Sequence, residues 1–441
     1  MLVKELAEIG KSYGDYLRSF RRHLGGDGTA AHFGVYCRGL LSDEARKTPE
    51  PLALRAGTAV RTLQWFLASA VWDEEAVLRQ VRHKLRLAFA AQPRGSLGTV
   101  GLIDETSVAK KGAKTPGVQR QYLGCVGKVD NGIVTVHLGA TRGRLKALLD
   151  ADLFLPASWD ADRPRCAAAG IPDSKRHEPK WKLAFWQVAR ARKEGFRFDW
   201  LTFDEGYGCT PAFLKALDLT AQRYAAEVPV NYRVAAVAGG ARVEVRERLD
   251  PAAPGEWRTL VRRLDSGGSS VWKYRSAAAF GADHRQLMVL AVNADTGEVK
   301  YFASNAAGSA PATVLRAGFR RAPVEHLFRL AKREAGLAHF EGRSYRGLVR
   351  HMILALAVMA FASMRAARPR KKSGPAGADP TVEQICRAVN AVVGGWMRRL
   401  RSTSDKAAAG SQIAYQQARN EAARRSRIGH RERKIELSLA L

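Results

Sequence analysis

Three short segments of this 441-residue chain carry residues that could do chemistry together: GLIDETSVAKKG with Asp104, LTFDEGYG with Asp204, and RRAPVEHLFRLAK with Arg321, Glu325 and Lys332. The carboxylates are far apart in sequence, yet each sits where a strand ends or a helix opens, positions from which a fold gathers acids around divalent metal. Hard oxygen donors without Cys or His suit Mg²⁺ or Mn²⁺ rather than zinc. Two such ions about 3.5–4 Å apart could activate a water or a DNA 3′-hydroxyl and stabilise the leaving oxygen of an in-line displacement. Arg321 and Lys332 would then hold phosphates on either side of the scissile bond. On a helix beginning near Pro323, a favoured place for proline, Lys332 comes within about 20° of Glu325 on one face. Glu334 falls on the opposite side and is rejected as a third ligand. Taken singly, each residue has a plainer reading: strand-end caps for Asp104 and Asp204, a solvated helix face for Glu325 and Lys332.

The charge balance gives these acids their context. The chain has 72 Lys+Arg against 42 Asp+Glu, a net charge of +30, and its pI of about 10.4 lies above the value of about 9 at which nucleic-acid binding becomes the first expectation. The five cysteines, Cys37, Cys125, Cys166, Cys209 and Cys386, are scattered without a CxxC pair or zinc-like spacing, so they read as reduced, mostly buried thiols. MLVKELAEIGK carries charges where a signal peptide needs an apolar core, which leaves a cytoplasmic protein of the bacterial nucleoid as the expectation. The run Met352–Ser363 falls short of the ~20 apolar residues of a membrane span and is flanked by Arg350, His351 and Arg365. It reads as a buried core helix, with no membrane partner.

The elements that must position the acids follow from periodicity and breakers. Residues 1–95 read as a helical DNA-binding domain. Within it, a short helix from Leu52 to Ala56 ends at Gly57, Thr58 is the expected N-cap, and a second helix runs from Ala59 to Ala68, a helix-turn-helix outline. Val60, Leu63 and Leu67 share its inner face, leaving Arg61, Thr62, Gln64 and Trp65 for a DNA groove, with simple helix packing an equally open reading. Residues 96–231 open with the strands TVGLID, QYLGCVGKV and GIVTVHLGAT. The last two are expected to join through Asp130-Asn131-Gly132 and the three to form an antiparallel meander. Lys110 and Lys111, just beyond the first strand, are candidate DNA contacts. A helix over 180–193, a strand running into Asp204, a helix over 211–219 and the strand YAAEVPV complete a mixed sheet flanked by helices. Residues 232–310 read as a β-rich insertion, helical text resumes at about Ala322 within a second core part (311–367), and 380–441 is a basic helical tail expected to be separately mobile.

At these residues the chain resembles the bacterial insertion-sequence transposases of the DDE superfamily, which carry an RNase H-like catalytic core. The likeness runs through IDETSVAKKG and GVQRQYLGCVGKVDN, LFLPASWDADRPRCAAAGIP, FDEGYG, and VEHLFRLAKREAGLAHFEGRSYRGLVRHMILALAVMAFA, in order, from about residue 30 to 365. It implies an α/β fold and a metal triad of Asp104, Asp204 and Glu325 holding two Mg²⁺, with Mn²⁺ able to substitute. It makes Arg321, Glu325 and Lys332 the R-E-K part of a Y-R-E-K signature whose tyrosine falls on Gly318 here, with Phe319 beside it. In the insertion, Trp257 and Trp272 become candidates to stack a flipped base, against the alternative of core packing. The activity implied is binding of the element's inverted-repeat ends, hydrolytic cleavage, and joining of 3′-hydroxyls to target DNA by a homodimer in a synaptic complex. Two rivals are a non-transposing RNase H-like endonuclease and a DNA-binding regulator derived from a transposase. A mere binder has no need of three convergent acids that repel each other without metal.

Overall fold

Helices come first in the chain because apolar residues recur there at helical spacing: α1 (Val3–Arg18), α2 (Asp27–Leu40), α3 (Pro49–Arg55), α4 (Val60–Ala68) and α5 (Glu74–Ala90). The computed structural model describes residues 3–263, 269–368, 380–399 and 425; the Arg-rich end of the tail, 400–441 apart from Arg425, lies outside them. Pro49 opens α3, and the Asp73 carboxylate caps α5 by accepting from the Ala76 N–H at 2.8 Å. Thr58 does not cap α4, whose N-cap is Ala59. Gly57 takes a left-handed φ of 65°, and the Thr58 N–H turns back to the Ala53 carbonyl, so Thr58 is used in closing α3.

The sheet begins with β1 (Val100–Ala109), β2 (Gln119–Leu123), β3 (Lys128–Arg142) and β4 (Leu145–Leu153). Short helices α6 (Ala157–Asp160) and α7 (Arg163–Ala168) lead to α8 (Lys180–Lys193), β5 (Trp200–Phe203), α9 (Glu205–Gly208), α10 (Pro211–Leu219) and β6 (Tyr224–Val228). The insertion supplies β7 (Arg233–Ala235), β8 (Arg242–Glu244), α11 (Val245–Arg248), β9 (Arg258–Arg263), β10 (Ser269–Gly281), β11 (His284–Asn293) and β12 (Val299–Ser304). Four helices follow: α12 (Pro311–Gly318), α13 (Ala322–Glu334), α14 (Tyr345–Ala366) and α15 (Val382–Arg399).

All strands join one 12-stranded sheet in the order β2-β3-β1-β5-β6-β12-β11-β10-β7-β8, with β4 on β3 and β9 on β10. β1–β5 and β5–β6 are parallel and the other pairs antiparallel. This mixed sheet flanked by helices is the α/β, RNase H-like architecture expected. Two local expectations fail. Asp130-Asn131-Gly132 is not a turn: β3 runs through it, Asn131 pairs with Arg120, and the Asn131 amide donates to the Lys110 and Gly112 carbonyls. The reversal lies just before, where Gly127 has a φ of 68°. The opening strands are no meander, because β1 pairs with β3 while β2 and β4 share the far side of β3. The β-rich insertion extends the same sheet, with β12 pairing to β6.

Helix α14 is 22 residues long, more than the apolar run alone predicts, and is long and apolar enough to cross a membrane; 89% of its apolar window is nevertheless buried inside the protein. Arg350 and His351 are interior residues of it, which is a core helix's pattern. Helix α15 is docked rather than separate. Its Ile385, Cys386 and Val389 are buried, it packs on α1 and α14, and Asn390 accepts from the Asp43 N–H at 3.1 Å. Of the five free thiols, Cys37, Cys166 and Cys386 are buried and Cys125 and Cys209 exposed.

Candidate metal and nucleic-acid site

Register brings the acids together. In the parallel β1–β5 pair Leu102 faces Thr202, so two residues on Asp104 and Asp204 come to one level. In β5–β6, Phe203 faces Ala226, which puts Glu227 at that level too. Asp204 ends its strand and caps α9, its Oδ1 accepting from the Tyr207 N–H at 3.3 Å. The tight α9 turn lies directly on β6: a Cβ at Gly208 would stand 1.9 Å from the Glu227 carbonyl oxygen, so only glycine fits there.

Asp104 is buried, 7% exposed. Its Oδ1 accepts from the Glu105 N–H at 2.8 Å and its Oδ2 accepts from Arg321 Nη1 at 3.1 Å. Burial and the neighbouring charge of Asp204 push its carboxyl up to about 7, although Arg321 pulls the other way. Arg321, the residue just ahead of α13, also lies 3.6 Å from Glu325 Oε1 and 3.8 Å from Glu227 Oε2. Glu227 in turn pairs with Lys300. The Glu205 carboxyl is raised by burial and by Glu227.

Helix α13 lays Val324, Leu327, Phe328 and Ala331 against the core, with Phe328 edge-on to His137 at 5.0 Å; His137 is the cross-strand partner of Asp104. This leaves the Glu325 carboxylate 69% exposed, beside Arg321. Lys332 does not share that open face. Its ammonium, half-buried, donates to the Ser107 carbonyl at 3.1 Å, and burial lowers its pKa.

The donor set fits a hard divalent cation. Asp104 and Asp204 form an acid pair left short of counter-charge, with Arg321 lying against Asp104. Among the described residues no three His, Cys, Asp or Glu side chains are already gathered as a finished ligand set, and the Glu325 carboxylate is exposed beside Arg321. Asp104 and Asp204 could hold the ion, and Glu325 is tied to Asp104 through the shared Arg321.

The proposed DNA contacts are scattered. Arg61, Gln64 and Trp65 are exposed on α4, with Thr62 half-buried, while Leu63, Phe66 and Leu67 are buried. Arg350 of α14 donates to the Phe66, Leu67 and Ala70 carbonyls at the end of α4. That helix therefore belongs to the helical layer, not to the rim that carries the acids. Lys110 is engaged, its ammonium donating to the Phe340 carbonyl; Lys111 is exposed and lines a basic cavity with Arg46, Lys114 and Arg343. Trp257 is half-buried beneath the Arg275 guanidinium at 4.8 Å. Trp272 is a core residue, 2% exposed, bonded to Ser270 Oγ and packed on Phe319 at 4.7 Å, so it has no open face for a base. A Cβ at Gly318 would come within 2.5 Å of the Phe302 ring, which accounts for the absence of a tyrosine there.

Two residues of the site escape sequence reasoning. Glu227 is an ordinary strand glutamate until three strands are aligned. Tyr207 stands in the same FDEGYG text as Asp204; its buried hydroxyl has no hydrogen-bond partner among the described residues, and burial, Glu105, Asp204 and Asp104 all raise its pKa.

A family model described as DDE superfamily endonuclease matches residues 19–276, a span that includes Asp104 and Asp204 and stops before Glu325. A curated protein described as "Probable transposase for insertion sequence element IS701", from Microchaete diplosiphon, is 30% identical over 200 residues, 45% of this chain and 46% of that protein. The match thus spans about half the length of the curated relative.

Proposed function

This chain belongs to the DDE superfamily of endonucleases, and on that premise we propose that it is the transposase of an insertion sequence, cutting the inverted-repeat ends of its element and joining their 3′-hydroxyls to target DNA. The observation that carries the reading is the level alignment of Asp104 and Asp204 on adjacent parallel strands, with Arg321 linking Asp104 to Glu325. Bound Mg²⁺ or Mn²⁺, two ions in this reading, would supply the charge that polarises the scissile phosphate and activates the attacking oxygen. Asp104 and Asp204 hold that charge from the sheet, and Glu325 completes the set from α13. Arg321, which lies against Asp104, would be the residue to meet a phosphate oxygen, for which its planar fork is suited. Lys332 steadies the end of β1 through Ser107 unless DNA draws it away. The exposed face of α4, with Arg61, Thr62, Gln64 and Trp65, reads the ends, and Lys111 with the neighbouring basic cavity meets backbone phosphates. Two copies hold two ends in a synaptic complex on the nucleoid.

The test is cleavage of duplex DNA carrying the gene's own flanking sequences in Mg²⁺, comparing the wild type with Glu325→Gln. Cleavage at defined ends that vanishes in the variant while binding survives supports the reading. Tight binding without cleavage in Mg²⁺ or Mn²⁺ replaces it with a DNA-binding regulator, and cleavage with no joined product on target DNA replaces it with a non-transposing endonuclease.

A further inference from the structure

The acid rim has a second face, turned away from α13, and a buried donor stands on it unmatched. Successive residues of a strand point to opposite sides of a sheet. Asp104 meets Arg321, just ahead of α13, while Glu105, the next residue of β1, meets α8, where Lys180 bonds its two carboxylate oxygens at 2.9 and 2.8 Å. Tyr207 belongs to that α8 side. Its ring packs against Phe203 at 6.4 Å and Phe213 at 6.0 Å, Phe213 packs in turn on Trp181 of α8 at 6.3 Å, and the residue is 4% exposed. The Tyr207 hydroxyl has no hydrogen-bond partner among the described residues, whereas the buried Tyr13, Tyr16 and Tyr301 each donate to a backbone carbonyl. After burial itself, the charges that bear on this hydroxyl are Glu105 first, then Asp204 and Asp104.

A buried hydroxyl without a partner is rare and costly, and a ring packed on both sides cannot turn it to water. The carboxylates around it are each engaged by other donors: Asp104 by Arg321 and the Glu105 N–H, Glu105 by Lys180, and Asp204 by the Tyr207 N–H. We propose that Tyr207 is a positioning residue of the metal site, its hydroxyl being the donor that secures Glu105 when Asp104 and Asp204 take up a divalent ion. This rests on the reading of the rim as a metal site. Positive charge taken up by the two aspartates relieves the repulsion among three neighbouring acids and lets Glu105 settle onto the hydroxyl. A carboxylate has about four lone-pair sites, so Tyr207 can join Lys180 on it. Glu105 passes the hold to the ion, because its N–H already fixes Asp104 Oδ1 at 2.8 Å. Tied down from the α8 face, it keeps the end of β1 and its aspartate in place. Outer hydrogen bonds of this kind are worth about 10–100-fold in metal affinity.

The experiment titrates Mn²⁺ into the full chain, reading the free ion by electron paramagnetic resonance, and measures the melting temperature of the same proteins without metal. Tyr207→Phe keeps the ring and deletes only the unmatched hydroxyl. Its metal-free melting temperature should equal or exceed that of the wild type, while its Mn²⁺ affinity falls by about tenfold or more. Tyr301→Phe deletes a hydroxyl that is bonded to the Leu249 carbonyl at 3.2 Å and should do the reverse, melting lower and keeping the wild-type affinity. Glu105→Leu should weaken Mn²⁺ binding as well, and Tyr207→Phe added to it should bring no further loss. Unchanged affinity in Tyr207→Phe, a lowered metal-free melting temperature in that variant, or additive losses in the double variant overturns the proposal; if Asp104→Asn abolishes uptake in the same series, the metal reading of the rim stands without it. Equal Mn²⁺ uptake by wild type and Asp104→Asn overturns both.

Discussion

Two ionic clusters of this molecule use the same side chains to opposite ends. In the first, between α5, β4 and α8, Arg82 bonds Glu194 at 2.7 Å and Asp150 at 3.2 Å. Arg190 bonds Asp150 at 3.0 Å, and Gln187 donates to Asp152 at 3.0 Å. Arg82 and Asp150 are each 1% exposed, but every charge there has a hydrogen-bonded opposite: against the cost of burial Arg190 holds the Asp152 carboxyl below its usual range, while at Asp150 burial outweighs Arg190 and Arg82 and raises the carboxyl to about 6. In the second, the rim around Asp104, Arg321 is shared by Asp104, Glu227 and Glu325, Lys300 pairs with Glu227, and Asp204 adds a further acid, so that Asp104 is pushed up to about 7. A buried network whose charges are closed on themselves is a structural joint. One left with excess acid is poised to take up positive charge from outside the chain.

Substitutions separate the two. The largest effect is expected at the rim: Asp104→Asn should lower single-turnover cleavage by at least about 10³-fold, since several kcal/mol of transition-state charge stabilisation depends on the ion it is proposed to hold, while the urea midpoint stays or rises. Cleavage surviving in that variant would erase the distinction. In the closed cluster, Arg82→Ala should cost about 3–5 kcal/mol of stability by stranding Asp150 and Glu194, read by urea unfolding, with cleavage per folded molecule unchanged.

The third effect concerns pH and the paired interior. His351 donates from Nε2 to the Gly336 carbonyl and accepts at Nδ1 from the Tyr36 hydroxyl, both at 2.8 Å, and burial lowers its pKa from 6.5 to about 4. A depressed histidine contributes stability that is whole above about 6.5 and is lost as pH falls toward 4, so moving from pH 7 to 5 should cost about 2 kcal/mol through this residue. His351→Gln should flatten that dependence; an unchanged slope would remove His351 from the account. The smallest effect is expected at Glu227→Gln, about tenfold in cleavage rate, through Arg321 rather than through the ion. In an Arg321→Gln background the same change should do no further harm, and additive losses would place Glu227 outside the rim.

Much of the fold is written locally. α8 and α10 fall on the residues expected from Pro179, Gly195 and Pro211, because breakers and periodicity act within a few residues. The apolar strands TVGLI and WLTF, each running into an aspartate, carry the alignment of Asp104 with Asp204 in plain view. What sequence hides is long-range choice. β4 is buried over most of its length and shows no alternation to mark it as a strand. The Asp-Asn-Gly turn signal loses to pairing with β2 and to two backbone carbonyls that capture the Asn131 amide. Glu227 becomes part of the rim only through the register of three strands, and the burial of Trp272 depends on Phe319, far along the chain.

The N-terminal helices grip the helix that bears Glu325 and its neighbours. Lys47 is buried, 4% exposed, and its ammonium donates to the Glu334 carbonyl at the far end of α13, where a cation also suits the helix dipole. Tyr16 donates to the Ala357 carbonyl inside α14. A chain cut back to begin at β1 would therefore strip the clasp from α13 and expose one side of α14, so a minimal nuclease cannot be obtained from this protein by removing its first five helices: the helical part and the part that carries the acids stand or fall as one body.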